Sequence, residues 1–324
     1  MAETTRQGRP RRNTCERSTL VLRVLVPSAA LAHDISGPGV QAIIWHIDTD
    51  TSPAPAADVL VTERPRFPAH RSRVSAIPGL RHVHLLSIGY EWVLEHLPAG
   101  TTLSNSRGAV EDATAEHALA LILASLRDLP VAAQQQHRHH WSPLWTTSLH
   151  GSVVMVLGYG GVGQEVAARL EPFRPAAVLP VASRQRTTAT GVQVNGTQEL
   201  PALLPRADVV VVTLPHQEST ERLVDAAFLA ALGDGALLVN IGRGAVVDTD
   251  ALVAELQAGR LRAALDVTDP EPLPAGHPLW DAPGCLLTPH MAGNTHEFLR
   301  RSAALTVEQV RRLASGREPL HLVR

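Results

Sequence analysis

The chain contains no lysine, so every fixed side-chain cation in its 324 residues is an arginine. Mechanisms that need a lysine base or a lysine Schiff base are excluded. Cysteine occurs twice, at Cys15 and Cys285, too few for a disulfide framework or a zinc site. Two free thiols in a reducing compartment are the plain expectation. Neither sign of charge dominates, since the formal net charge is −2 and gives no reason to expect a nucleic-acid surface. No run approaches the roughly 18 apolar residues of a membrane span. A cytoplasmic location is expected.

The composition that remains, 44% hydrophobic and 19% charged, is that of an ordinary globular protein. The length suits two domains of roughly 100–200 residues each. At the start, an arginine-rich stretch is followed by apolar residues from Leu20 to Ala32 that end in Ala30-Leu31-Ala32, imitating a secretory signal. Arg23 interrupts that run, and LVLRVLVP reads as a first strand. Residues 1–19 are therefore expected to be a disordered tail.

Short apolar, β-branched runs alternate with helical stretches along the chain, which predicts an α/β architecture with parallel sheets. The first-half strand candidates are VLRVLVP, VQAIIWHID, DVLVTE and HVHLLSIG. AEHALALILASLRDLP then reads as a long buried helix closed by Pro130, followed by a polar connector from Gln134 to Ser148. Six further runs (VVMVLG, AAVLPVAS, ADVVVVTLP, GALLVNIG, RAALDV and CLLTPH) suit a doubly wound, Rossmann-type dinucleotide fold. Thr295 to Gly316 reads as a final helix.

VVMVLGYGGVGQEVAARL places Gly158, Gly160 and Gly163 in GxGxxG register between a strand and an amphipathic helix. In that register the first glycine permits the turn, the second lets backbone approach a pyrophosphate, and the third lets helix and strand pack closely. Gly161 and Val162 complete a helix start that binds an anion. At the end of the next strand a NAD-selective site carries Asp or Glu, whereas this chain has Ser183 and Arg184, with Arg186 close behind. Arginine there suits a 2′-phosphate, so NADP is favoured over NAD. If Arg184 is only a solvated loop charge, either cofactor fits.

Three later segments, LLVNIGRGAVVDTDAL, ALDVTDPEPLP and LLTPHMAGNT, place Arg243, Glu271 and His290 beyond apolar strands, on the sheet edge where ligands bind. Together with GYGGVG, LSIGY and ATAEHALALIL, these segments resemble the D-isomer-specific 2-hydroxyacid dehydrogenase family, which includes glycerate, glyoxylate and phosphoglycerate dehydrogenases. The resemblance covers nearly the whole chain from Val21. It implies that Arg243 binds a substrate carboxylate, Glu271 orients a histidine, and His290 exchanges the proton at the ketone oxygen. The chemistry agrees with the residue types: arginine pairs a carboxylate bidentately, and an ordinary imidazole titrates near neutrality. Read singly, the three also suit a helix-start anion ligand, an exposed loop charge and a structural histidine.

The resemblance further implies that Ser87, Ile88 and Gly89 meet the substrate carboxylate. It sets Thr114, Pro215, Ile241, Asp266 and Gly293 around the cofactor, with Asp266 at the carboxamide. Thr114 and Pro215 equally suit a helix cap and a strand terminator. His137, Arg138, His139 and His140 look like a metal box, but Arg138 opposes a cation and no metal is expected. Trp141 and Trp145 either anchor the connector or reach a neighbouring subunit's site. The implied fold is a Rossmann cofactor domain over residues 114–292 and a discontinuous, flavodoxin-like α/β substrate domain over 20–113 and 293–324. A homodimer is implied, joined by the connector and the AEHALALIL helix. The implied activity is NAD(P)-dependent oxidoreduction of a small 2-oxo or 2-hydroxy acid such as glyoxylate or hydroxypyruvate, with the identity of the acid set by variable loops including Arg64 to His70. Two rivals are phosphite oxidation by the same triad and a nucleotide-sensing binding protein of the corepressor type; the intact triad argues against the second.

Overall fold

The computed structural model describes residues 21–323. The expected tail over residues 1–19, and Cys15, lie outside the described residues. Thirteen strands form two sheets among those described.

The first sheet holds β1 (Leu22–Val26), β2 (Val40–Ile44), β3 (Val59–Thr62), β4 (His82–Leu85) and β5 (Thr102–Asn105). All are parallel and the order is β2-β1-β3-β4-β5, the doubly wound order of flavodoxin-like folds. Leu22–Val26, within the apolar stretch that imitated a signal sequence, is thus a strand with a partner on each side. β5 has the polar sequence TLSN and escaped the sequence reading. It is covered nonetheless, because the C-terminal segment pairs with it: Val323 N–H donates to the Leu103 carbonyl at 2.8 Å.

The second sheet holds β6 (Val153–Leu157), β7 (Ala177–Ala182), β8 (Arg186–Thr187), β9 (Gln193–Gly196), β10 (Val209–Val212), β11 (Leu237–Asn240), β12 (Arg262–Leu265) and β13 (Cys285–Leu287). Its order is β13-β12-β11-β10-β6-β7-β9-β8. Leaving out the short antiparallel β8, this is the Rossmann order with one strand added beyond the sixth. The six expected strands are all present, but they are not the six of the Rossmann core. The third core strand is β9, whose sequence QVNG carries no apolar run, and β13 is the addition.

Alternation along each strand feeds two cores. Met155 and Leu157 pack into one layer, Val154 and Val156 into the opposite one. Leu25 and its neighbours Val24 and Val26 divide in the same way in the first sheet. Strands wetted on neither face need apolar residues at every position, which is why β10 reads VVVV and β11 LLVN.

Helix Glu111–Leu126 carries the chain from the first sheet to the second and packs on helix Gly161–Leu170 and on β11 and β12. The expected boundary between residues 113 and 114 falls inside its first turn. Pro130 does not close this helix. The helix stops at Leu126, Asp128 turns left-handed with φ of 50°, and Pro130 sits in the first turn of a second helix, Leu129–His137. A proline there is tolerated because the first-turn N–H has no intrahelical acceptor to lose. The expected connector from Gln134 is accordingly helical as far as His137.

Helix His296–Ala314, capped by Thr295 Oγ1 accepting from Phe298 N–H at 3.0 Å, returns to the first sheet. Its Val310 joins Leu22, Val24 and Val26 in one apolar cluster. Its Gln309 enters a buried polar network, donating to Ser104 Oγ at 2.8 Å, while Ser104 Oγ also contacts His82 Nε2 and His84 Nδ1 at 2.8 and 2.9 Å. No described helix is long and apolar enough to cross a membrane.

Candidate active site

A cleft of about 2150 Å³ runs between the carboxyl ends of the two sheets. Sites for one drug-sized ligand span roughly 300–1,000 Å³. The cleft therefore has room for a dinucleotide and a small acid together.

On one wall, the chain leaves β6 through Gly158, whose φ is +104° and whose Cβ, if it had one, would stand 2.6 Å from Thr213 Oγ1. Thr213 Oγ1 donates to the Gly158 carbonyl at 2.8 Å and fixes the turn. A side chain at Gly163 would collide with that same carbonyl, so close helix–strand contact requires glycine there. Gly160 instead faces open space and opens helix Gly161–Leu170. This is a cradle with free backbone N–H groups at a helix start, and it fits a pyrophosphate. Gly160, Gly161, Val162 and Gly163 line the cleft.

At the end of β7, Ser183 and Arg184 are exposed and stand outside the residues lining the cleft. The neighbouring Arg186 turns back, and its Nη2 donates to the Tyr159 carbonyl in the glycine turn at 3.0 Å.

Arg243 follows β11 and is held from both sides. Asn240 Nδ2 donates to the Arg243 carbonyl at 3.0 Å, and Asn240 Oδ1 accepts from Gly242 N–H at 3.0 Å. Side chains at Gly242 or Gly244 would run into the backbone at Leu214 and at Thr268. The Arg243 guanidinium donates to the Gly242 carbonyl at 2.7 Å and lies 3.5 Å from Glu91 Oε2.

Asp266, just beyond β12, is the fastener of the histidine loop. Its Oδ1 accepts from Thr288 Oγ1 at 2.6 Å and Met291 N–H at 2.9 Å, and its Oδ2 accepts from Ala292 N–H at 2.9 Å. His117 Nε2 stands 3.4 Å from Oδ1. Burial raises the pKa of Asp266, but the hydrogen bonds outweigh it and hold the carboxyl at about 2. His290 has a φ of +51°, a region that non-glycine residues seldom occupy. Two bonds from its N–H, to the carbonyls of Asp266 at 2.8 Å and Thr288 at 3.0 Å, keep it there.

His290 Nδ1 meets Glu271 Oε1 at 2.7 Å. Burial raises the Glu271 pKa, but the His290 hydrogen bond and the charges of His290, Arg64 and Arg243 lower it by more, so the carboxyl stays ionised below its usual range. An ionised carboxylate only accepts, so Nδ1 is the donor and Nε2 is left for a ligand. Arg64 Nη1 approaches the same Oε1 to 3.5 Å from the other side of the cleft.

The first sheet contributes the turn after β4. Ser87 Oγ donates to the Gly89 carbonyl at 3.0 Å, and Asn105 Nδ2 donates to the Ile88 carbonyl at 2.9 Å. Gly89 is packed so closely under the Arg243 guanidinium that a Cβ there would require the guanidinium to shift.

The structure therefore brings Arg243, Glu271 and His290 into one cleft with Ser87, Ile88, Gly89, Thr114, Pro215, Ile241, Asp266 and Gly293. Thr114 is inside helix Glu111–Leu126 rather than at its cap, which is Val110. Pro215 lies beyond the end of β10 at Val212, and its carbonyl accepts from Thr220 Oγ1 at 2.7 Å. Sequence reasoning missed Asn240, Asn105, His117 and Glu91. The position of Glu91 directly after SIGY, and of Asn240 at the end of an apolar strand, were the signals available. Among the described residues no group of three His, Cys, Asp or Glu side chains is assembled. Trp141 and Trp145 are almost wholly exposed, at 96% and 101%, and anchor nothing among the described residues.

Comparison with known proteins agrees with this geometry. Residues 119–292 match the family described as D-isomer specific 2-hydroxyacid dehydrogenase, NAD binding domain. A glyoxylate reductase/hydroxypyruvate reductase from Homo sapiens is 32% identical over 226 residues, covering 67% of this chain and 69% of the relative. The structure of an NADPH-dependent glyoxylate/hydroxypyruvate reductase from Sinorhizobium meliloti, in complex with NADP and malonate, superposes with a TM-score of 0.78 at 27% identity, covering 94% of this chain and 97% of that one. A D-isomer specific 2-hydroxyacid dehydrogenase from Xanthobacter autotrophicus, in complex with NADPH and MES, gives a TM-score of 0.76 at 28% identity over 94% of this chain and 98% of its own. With a matching cofactor domain, a matching two-sheet architecture and relatives at this level of identity, the chain belongs to the D-isomer specific 2-hydroxyacid dehydrogenase family.

Proposed function

We propose that Arg243, Glu271 and His290 carry the reaction of this NAD(P)-dependent oxidoreductase, the reduction of a small 2-oxo acid such as glyoxylate or hydroxypyruvate to the D-2-hydroxy acid. The observation that carries the reading is the 2.7 Å contact between His290 Nδ1 and Glu271 Oε1 in the cleft that also holds Arg243 and the glycine turn.

The glycine turn, Ile241, Pro215 and Thr114 would hold the dinucleotide, which when bound supplies the hydride for the ketone carbon. Arg243 pairs the substrate carboxylate, assisted by backbone N–H groups of the turn from Ser87 to Gly89. His290 Nε2 gives its proton to the ketone oxygen as negative charge develops there, and Glu271 stabilises the ring while it is charged. In the oxidative direction His290 takes the proton back. Asp266 acts chiefly by holding the loop that aims His290, since its oxygens are already engaged. Cleft closure, by movement of the N-terminal sheet and the C-terminal helix as one domain against the other, would exclude water during transfer.

NADP is favoured over NAD, because the end of β7 offers Ser183, Arg184 and Arg186 and no carboxylate. We also propose a cytoplasmic homodimer. Helix Glu111–Leu126 spends most of its apolar residues inside the chain, and the segment after it offers the exposed Leu129, Val131, Trp141, Leu144 and Trp145 to a second copy. The test of function is oxidation of NADPH and NADH by the purified protein across a panel of 2-oxo acids, with His290→Ala as control. Turnover that survives in the variant would overturn the role of His290; absence of turnover with every acid would overturn the reading.

A further inference from the structure

The loop that aims His290 is tied down by groups at the ends of β12 and β13. His290 N–H donates to the Asp266 and Thr288 carbonyls, and the Asp266 carboxylate accepts from Thr288 Oγ1, Met291 N–H and Ala292 N–H. His117 reaches this cluster from outside the sheet. It stands on helix Glu111–Leu126 and brings Nε2 to 3.1 Å from Thr288 Oγ1 and 3.4 Å from Asp266 Oδ1.

The direction of each bond follows from the groups themselves. Asp266 is ionised and only accepts, so the Thr288 hydroxyl commits its proton to Asp266 Oδ1 at 2.6 Å. Toward His117 the same hydroxyl oxygen can only accept, so His117 Nε2 carries the hydrogen. The result is a relay of donors, His117 to Thr288 to Asp266, ending on the carboxylate that fastens the loop.

The helix meets the loop at a second point. Thr114 lies three residues before His117, on the same helix face. A Cβ at Gly293 would lie 3.9 Å from Thr114 Oγ1. The loop from Thr288 to Gly293 is thus seated at both ends on the helix that joins the two sheets. Thr114 lines the cleft and His117 does not, which sets His117 apart from the ligands. His290 sits at a φ of +51°, a conformation that persists only while its surroundings over-determine it. A misplacement of about 1 Å in a catalytic group costs on the order of 10²-fold in rate.

We propose that His117 is a positioning residue for the proton transfer, acting through Thr288 and Asp266 to keep His290 on aim, so that it governs kcat rather than ligand affinity. This rests on the reading of His290 as the proton donor to a 2-oxo acid.

The experiment measures kcat and KM for glyoxylate and hydroxypyruvate with NADPH, and the dissociation constant of NADPH by its fluorescence. The wild-type protein is compared with His117→Leu, His117→Gln, Thr288→Val and the double variant His117→Leu/Thr288→Val. His117→Leu and Thr288→Val should each lower kcat about tenfold or more, with KM and NADPH affinity within about threefold of wild type. The double variant should fall no more than about threefold below the worse single one, because both break the same relay. His117→Gln keeps an N–H donor and should recover much of the loss. A kcat within about threefold of wild type in His117→Leu overturns the proposal, whatever happens to thermal stability. Losses that multiply in the double variant, or a His117→Gln no better than His117→Leu, overturn it too. Should His117→Leu fail to fold, an unchanged kcat in Thr288→Val overturns it alone. All of these leave the reductase reading intact. A wild-type protein that binds NADPH but turns over no acid, or turnover that survives in His290→Ala, overturns that reading and the proposal together.

Discussion

Glu91 Oε2 stands 3.5 Å from Nη2 of Arg243, so the arginine that would receive a substrate carboxylate already faces a carboxylate from the opposite lobe. The same oxygen accepts from Tyr90 N–H at 3.0 Å, which fixes its position. An incoming 2-oxo acid has to displace or share this contact. A partly exposed pair of this kind contributes about 0.2–1 kcal/mol. Glu91→Gln should therefore lower KM for 2-oxo acids roughly two- to fivefold with little change in kcat. A raised KM in steady-state assays would show that Glu91 holds Arg243 in place rather than competing for it.

Glu271 is held ionised below the usual carboxylate range, first against burial and then by His290, Arg64 and Arg243. Its titration therefore leaves no limb in the pH profile of kcat/KM at or above the ordinary carboxylate range. Glu271→Gln should lower kcat/KM by roughly 10²-fold or more, because the ring loses both its orienting acceptor and its counter-charge. A loss below fivefold would reduce Glu271 to a structural loop residue.

Arg184 and Arg186 make separable predictions. Arg184 is exposed at the end of β7, whereas Arg186 is tied to the glycine turn through Tyr159. Arg184→Ala should raise KM for NADPH about tenfold and spare NADH, the signature of a lost 2′-phosphate contact. Arg186→Ala should weaken both cofactors, because the turn that cradles the pyrophosphate loses a brace. Titration of cofactor fluorescence on each variant reads both outcomes.

Acid stability is governed in part by the two buried histidines of β4 in the first sheet. Burial lowers the pKa of His82 to about 4, and burial with the nearby His82 and His321 lowers that of His84 to about 3. Both are neutral in the fold and titrate at about 6.5 when unfolded. The unfolded chain thus binds more protons below pH 6.5. The stabilisation is complete above that value and is lost as pH falls through 6.5 toward 4, at about 1.4 kcal/mol per pH unit for each histidine. Urea midpoints measured from pH 7 to pH 5 should fall accordingly. A flat profile would mean that these imidazoles are protonated, or reached by water, in the native state.

Trp141 and Trp145 project from a connector with almost no cover from the described residues. Substituting both by serine should convert a dimer to a monomer in light-scattering chromatography. A wild-type protein that already runs as a monomer would overturn the proposed assembly.

Much of the fold was legible because the strands are wetted on neither face. A parallel strand covered on both sides needs apolar residues at every position, and β10 and β11 announce themselves for that reason. β5 and β9 do not, since TLSN and QVNG are ordered by the segments packed over them rather than by their own composition. The end of helix Glu111–Leu126 was misplaced at Pro130 because a proline reads alike as a stop and as a first-turn residue.

The sequence by itself determined the chemistry available: a glycine turn after a strand, an arginine between two glycines, a carboxylate, a histidine, and no lysine anywhere. Those are local properties, set by residue type and by spacing within one strand–turn–helix unit. Only the tertiary structure decided which groups meet across the cleft. The pairs Glu91–Arg243 and Arg64–Glu271 join residues more than a hundred positions apart in the chain. Contacts of that kind depend on how two sheets with separate cores are set against each other, and no periodicity within either of them encodes it.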